Sequence, residues 1–378
     1  MAYLDAGTTQ KMNAAGRDAL LAALDDGWAD PARLHREGRR AQLMINEAMA
    51  SMASILGVRS DELHALGSGT QAVHAGIEGL AWGRRRIGGP CVLSAVEHSS
   101  VMTAATAVTR AAEEAPHVVP VDREGVIDRD ALDSALSGGP VRVVAVQSVN
   151  QETGTKQPLE TVAELCRRTN VPLLIDAAQS VGREELIAHG DVITASAHKW
   201  GGPAGVGLVA IRTGVRWRAA TPTRALDRTG QGFPDVPALM AASASLEQAE
   251  RERSTAYPLL MQLTERIRTA AAAIPDVEVV GHPTQRAAHL VTFSCLYVAG
   301  EAIVDALDRQ EFSAASGSAC ASEALGPSHV LAAMGVLTHG NVRIGLPADV
   351  DPRDVDRFIE TLPVTIAKIR ADAGVDRL

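Results

Sequence analysis

A lysine closes the run Ser196-Ala197-His198-Lys199 and is followed at once by Trp200-Gly201-Gly202-Pro203. Taken alone, a lysine is a solvated surface cation. At the end of a buried strand it loses water, gives up its proton more readily and can form a Schiff base with a carbonyl compound. Ser196 and His198 add donors suited to a phosphate, and the two glycines and the proline let the chain turn sharply away. Upstream, Asp176 ends the apolar run Val171-Pro-Leu-Leu-Ile and precedes Ala177-Ala178-Gln179-Ser180. A carboxylate there can simply cap the next helix. Set against Lys199 it suits a second task, as acid partner for the pyridine nitrogen of pyridoxal phosphate, where it keeps the ring protonated and electron-accepting. Gly67-Ser68-Gly69-Thr70 opens a helical pattern, and the Thr70 hydroxyl beside the first N–H groups of that helix makes an anion site. Cys320 lies in Ser313-Ala-Ala-Ser-Gly-Ser-Ala-Cys-Ala-Ser, a stretch too small and polar to pack tightly and so able to expose a thiol. An incidental cysteine remains the competing reading from the residues alone.

The elements that must position these groups alternate. Strands are expected at 91–95, 117–121, 141–147, 171–176, 191–195 and 206–211, short and nearly continuous in Val, Leu and Ile, as strands covered on both faces are. Helical spacing occupies 70–80, 100–114, 128–136 and 159–168. Such alternation predicts an α/β fold with a mostly parallel sheet flanked by helices, whose ligands bind beyond the carboxyl ends of the strands. Residues 213–237, rich in Arg, Gly, Thr and Pro, read as a long loop. A helical stretch from 238 to about 273 is expected to kink or divide at Pro258. Beyond it, strands at 277–280, 288–296 and 341–346 with helices near 301–309 and 351–371 predict a smaller α+β domain. The remaining cysteines, Cys91, Cys166 and Cys295, fall on strand or helix patterns and read as core.

Read in order, the motifs resemble those of a cysteine desulfurase of the class V aminotransferases, fold-type I pyridoxal-phosphate enzymes. They are Tyr3-Leu4-Asp5, Asp30-Pro-Ala-Arg-Leu-His35-Arg-Glu-Gly38-Arg39, Glu97-His98, Asn150-Gln-Glu-Thr-Gly154, Asp176-Ala-Ala-Gln179, Ser196-Ala-His198-Lys199, Ser316-Gly-Ser-Ala-Cys320 and Val342-Arg343-Ile-Gly-Leu. The likeness runs nearly end to end. It implies a seven-stranded, mostly parallel sheet in a large cofactor domain over 13–250, and a small domain made of 1–12 and 251–378. It implies that Lys199 holds the pyridoxal 5'-phosphate and moves the substrate's Cα proton, that Asp176 pairs with the ring nitrogen, and that Gln179 meets the phenolic oxygen. His98 would stack on the ring and act as acid and base. Gly69, Thr70, Ser196 and His198 would hold the phosphate. Asn150 would lie near the ring and the substrate carboxylate, which Arg343 would grip with its planar two-pronged donor. Cys320 would take the sulfur of L-cysteine as a persulfide, leaving L-alanine, and pass it to a sulfur-acceptor protein. A homodimer with sites at the subunit interface is implied too.

Four positions depart from the family pattern. Gln71 stands where Glu is common, His74 where Asn is common, and Asp30 where Asn precedes Pro. Phe233 occupies the place of a threonine that reaches the neighbouring subunit's cofactor phosphate; either that contact is lost, or Arg224, Arg228 or Thr229 supplies it. The rival readings are another class V enzyme, a C–S lyase of a different sulfur amino acid or an aminotransferase, which needs no Cys320, and a non-catalytic scaffold.

Composition narrows the field. The 378 residues are 46% hydrophobic and 21% charged, enough to bury a large core and too apolar for long disorder. A net charge of −9 argues against general nucleic-acid binding. No apolar run is long enough to span a membrane, and the start Met-Ala-Tyr-Leu-Asp-Ala-Gly has no basic, then apolar, leader pattern. Four well-separated cysteines fit thiols in a reducing cytoplasm, and the histidines and cysteines lack the spacing of a metal site.

Overall fold

The seven-stranded sheet is built from β2 (Leu63–Leu66), β3 (Cys91–Ser94), β4 (His117–Val119), β5 (Val143–Gln147), β6 (Leu173–Asp176), β7 (Val192–Ser196) and β8 (Gly207–Ile211), following the short N-terminal β1 (Ala2–Tyr3). A computed structural model describes residues 1–110, 114–185, 189–219, 232–316 and 327–375. The strand order is β2-β8-β7-β6-β5-β3-β4. β4, β3, β5, β6 and β7 run parallel; β8 is antiparallel to β7, and β2 to β8. The six strands expected from the sequence are all present. β2 is the addition, a four-residue edge strand too short to show a period.

The strands are apolar on both sides because helices cover both. Val92, Val144, Leu173, Ile175 and Ile193 face one core, lined also by α2 (Arg36–Ile55), α5 (Arg129–Ser137) and α6 (Leu159–Thr169). Their neighbours Cys91, Leu93, Val143, Leu174 and Val192 face the other, against α3 (Gly69–Gly83) and α4 (Ser99–Arg110). This strict alternation is the two-residue period of a strand. Cys91, Cys166 and Cys295 are buried, and burial pushes each thiol up to about 12, as expected of packing residues.

A third core lies under a three-stranded antiparallel sheet of β9 (Val277–Val280), β10 (Leu290–Cys295) and β12 (Asn341–Gly345). α8 (Gly300–Asp308) and α10 (Pro352–Asp372) pack on it, and β11 (Phe312–Ser313) pairs with β1, bringing Ala2 and Leu4 into the same cluster. Between α8 and α10 lies the short α9 (His329–Met334). The two parts are joined by α7 (Val236–Ala272), whose N-cap Asp235 accepts from the Ala238 N–H at 3.0 Å. The helix runs unbroken through Pro258, so the expected division there does not occur. Its first half gives Ala238, Leu239, Ala242 and Leu246 to the large core; its second gives Leu260, Leu263, Ile267 and Ala271 to the small one. Packing at both ends outweighs the hydrogen bond that a proline removes. α1 (Ala14–Asp26), absent from the sequence reading like α2, lies along α7, with the Asn13 amide donating to the Ser245 carbonyl at 2.9 Å. Among the described residues no helix is long and apolar enough to cross a membrane.

Candidate active site

The parallel strands deliver their carboxyl ends to one place. β6 ends in Asp176, β7 ends in Ser196, and the chain beyond β3 carries Glu97 and His98. These ends and the small sheet enclose a cavity of about 1020 Å³. Gly69, Thr70, His98, Asp176, Gln179, Ser196, His198, Lys199 and Arg343 all line it. The cavity thus gathers residues from β6, β7, β12 and the start of α3, far apart in the chain.

Lys199 ends a 3-10 turn, Ala197–Lys199, directly after β7. Its Nζ donates to the Gly7 carbonyl at 2.7 Å. Its own carbonyl accepts from Arg183 Nε at 2.8 Å and Gln10 Nε2 at 3.1 Å, which fixes the backbone under the amine. Trp200, fully buried, anchors the next position through Nε1 on the Ala242 carbonyl, and Gly201 makes the sharp turn at φ +80°.

Asp176 accepts from the Ala178 N–H at 3.1 Å, so it does begin a local turn, but it also opens on the cavity. Burial pushes its carboxyl up, opposed by His98 and Lys199. Such a group is relieved by an arriving cation, the property a ring-nitrogen partner needs. His98 Nδ1 lies 3.2 Å from the Ser100 N–H and 2.8 Å from its hydroxyl. A backbone N–H can only donate, so Nδ1 accepts and the neutral ring carries its proton on Nε2. Burial lowers the His98 pKa, which favours that neutral form.

The phosphate end is equally specific. The Ser68 hydroxyl caps α3 by accepting from the Gln71 N–H at 3.1 Å. Gly69 is pressed onto β7: a Cβ there would lie 2.8 Å from Ser196 Cβ. This close approach is a cradle that only glycine permits, and it sets the first N–H groups of a 15-residue helix against the cavity. Ser196 Oγ is 3.2 Å from His198 Nδ1, and burial, with Lys199 and Arg183 nearby, pushes His198 down to about 4. Ser196 and a neutral His198 share one hydrogen bond and have one hydrogen left between them for an anion, on Ser196 Oγ or His198 Nε2. This donor set fits a phosphate.

Arg343, almost fully buried in β12, bonds the Asp5 carboxylate at 3.0 Å, the Gln151 carbonyl at 3.1 Å and the Thr8 hydroxyl. Asn150 is tied into the loop that carries Gln151 and Glu152. Its Oδ1 accepts from the N–H groups of Glu152 and Thr153 at 2.9 and 2.8 Å, and its amide donates to the Val96 carbonyl at 3.0 Å. It does not line the cavity and shapes the Gln151–Glu152 turn that does. Cys320 lies outside the described residues, as do Arg224, Arg228 and Thr229. Phe233 is 65% exposed, Gln71 folds back to accept from the Gly67 N–H at 3.0 Å, and Asp30 pairs with Arg33 at 3.0 Å. His74 Nδ1 lies 3.7 Å from a Glu78 carboxylate oxygen.

His329 has no sequence signal, and Glu97 and Glu152 stand in motifs without a role assigned to them. His329 lines the cavity with Nε2 2.9 Å from the Glu97 carbonyl, and Glu152 accepts from the Ser328 hydroxyl at 2.6 Å. The Glu97 side chain is fully buried. One of its oxygens meets the Ser94 hydroxyl and the Gln147 N–H at 3.1 Å; the other has no hydrogen-bond partner among the described residues. Burial raises this carboxyl to about 8. The folded value lies above the unfolded one, near 4.5, so the folded chain loses stability as pH rises from about 4.5 through 8. Glu97→Gln keeps the accepting oxygen and cannot ionise. Its melting temperature, relative to the parent, is expected to rise between pH 5 and pH 9; calorimetry showing a constant gap would contradict this.

The aminotransferase class-V family model matches residues 2–358. A cysteine desulfurase of Cereibacter sphaeroides is 32% identical, with 98% of this chain and 96% of the relative covered. The cysteine desulfurase IscS of Methanosarcina thermophila is 28% identical over 97% of this chain and 92% of its own length. In fold, a solved NifS-like protein superposes with a TM-score of 0.89 at 22% identity, covering 97% of this chain and all of that one. The chain therefore belongs to the aminotransferase class-V family, among its cysteine desulfurases.

Proposed function

We propose that the chain takes sulfur from L-cysteine, with pyridoxal 5'-phosphate as cofactor, releasing L-alanine and leaving the sulfur as a persulfide on Cys320. The observation that carries this reading is the meeting of Lys199, Asp176, Arg343 and a phosphate-shaped donor set in the lining of one cavity. When bound, the cofactor supplies a carbonyl for the substrate's amine and a ring that accepts the electrons left at Cα.

The chain's own residues do the rest. The start of α3, Thr70, Ser196 and His198 would hold the phosphate, Asp176 would pair with the ring nitrogen, and Gln179 would donate to the phenolic oxygen. Arg343 exchanges its bond to Asp5 for one to the substrate carboxylate, which orients the Cα–H toward the Lys199 amine. Lys199 removes and returns that proton. His98, neutral with its proton on Nε2, delivers a proton at the departing side of the substrate. The Cys320 thiolate attacks the substrate sulfur: the S–S bond forms, the Cβ–S bond breaks, and its electron pair stays on carbon, which ends as the methyl of alanine. No outside oxidant or reductant is needed, because cysteine and a thiol become alanine and a persulfide. An acceptor protein then takes the persulfide sulfur.

Assembly belongs to the same reading. Leu21, Leu24, Trp28, Leu34 and Leu43 are all at least half exposed along α1, α2 and the turn between them. Such a set is what a homodimer would cover. We assign 13–250 to the cofactor-holding part, 1–12 with 251–378 to the smaller part, and the cytoplasm, where thiols stay reduced, to its place of work.

The test uses holoenzyme and cysteine labelled with radioactive sulfur. The parent is expected to hold reductant-releasable label on the protein and to form alanine. In Cys320→Ala the protein-bound label is expected to fall to background. Unchanged alanine and sulfide output in that variant would instead mark another class V C–S lyase.

A further inference from the structure

We propose that His289 is a positioning residue that acts through Gln179, fixing its amide so that an N–H faces the cofactor's phenolic oxygen; the inference rests on the pyridoxal-phosphate reading above. His289 immediately precedes β10 and is 2% exposed. Its Nε2 lies 3.1 Å from Gln179 Oε1, and Gln179 Nε2 donates to the Gly7 carbonyl at 2.8 Å. That carbonyl also receives the Lys199 amine.

The direction of this chain follows from what each group can do. A carbonyl oxygen only accepts, so the nitrogen of Gln179 must face Gly7 and its oxygen must face His289. An amide oxygen also only accepts, so His289 must carry its proton on Nε2. Its Nδ1 is buried with no hydrogen-bond partner among the described residues, as an unprotonated nitrogen can be. Around the ring stand Arg183, Lys199, Arg343 and Lys156, and burial with these cations keeps the imidazole neutral. Glu184 is the acid beside it, but its carboxylate is engaged with Lys156 and with the Ala288 N–H at 3.2 Å. Gln179 spends one amide hydrogen on Gly7 and has a second for the cavity it lines. Without His289 the amide could rotate and present its oxygen, which would repel an anionic phenolic oxygen.

A donor at that oxygen favours the cofactor form with one proton fewer, so losing it raises the pH at which the bound cofactor's visible absorbance changes. The expected rise in His289→Phe holoenzyme is about one unit, the worth of one hydrogen bond. His289→Gln keeps an N–H donor at similar reach and is expected to titrate within about 0.3 unit of the parent. In the double variant with Gln179→Ala, the His289→Phe change is expected to add nothing. A His289→Phe titration equal to the parent's, or additive shifts, would overturn the proposal. Nitrogen NMR gives a second check: an Nε2-protonated histidine signal, constant between pH 5 and 9, that the parent shows and His289→Phe lacks supports it, and the loss of an Nδ1-protonated signal instead sinks it. A parent that shows no cofactor absorbance would sink the cofactor reading instead.

Discussion

Lys199→Ala holoenzyme is expected to turn over L-cysteine at least about 10⁴-fold more slowly than the parent, the combined scale of losing a covalent anchor and a positioned acid–base group. Three features concentrate that effect on one side chain. The backbone under Lys199 is held by Arg183 and Gln10, so no neighbour can move into its place. The amine reaches into the cavity between Asp176 and the N-terminal segment, where it already donates to Gly7. Arg343, also on the cavity wall, carries a guanidinium, which is too weak a base to take the Cα proton in place of the amine. Single-turnover assays of alanine formation read the result. A loss below tenfold would mean that another group moves the Cα proton.

Asp176→Asn is expected to cost about 10³-fold in turnover. The substitution keeps the shape of the strand end and its acceptance from the Ala178 N–H, but it cannot ionise. Leaving a buried cation without its partner costs about 3–5 kcal/mol, and each 1.4 kcal/mol is a factor of ten. The parent carboxyl is pushed up by burial, with His98 and Lys199 pulling it back, so a positive partner close by favours its charged form. The variant is therefore expected to bind the cofactor and fail mainly in turnover. Steady-state kinetics at saturating cofactor separate the two, and unchanged turnover would contradict the assigned role.

The parallel part of the sheet was legible because its strands are buried on both faces and read as plain apolar runs. Asp176 and Ser196 were legible because they end such runs. β2 was not, since Leu63-His-Ala-Leu is too short for any period and is stabilised by pairing with β8. Pro258 does not divide α7 because packing at both ends of the helix outweighs one lost hydrogen bond. Within the site, residues tied to a strand end or helix start could be read from position alone. His289, His329 and Glu152 could not, because their importance comes from partners more than a hundred positions away. Asn150 shows another limit: its place in a motif is plain, but not that its oxygen holds its own turn while its amide meets the Val96 carbonyl.

α7 gives the two halves of the molecule a shared spar. At 37 residues it is roughly 55 Å long, and one greasy interior of each half rests on it. Melting either half would strip one end of this rod of its cover and loosen the other. The halves accordingly stand or collapse together, and Arg343 keeps its spacing from Lys199 for as long as the rod stays wound.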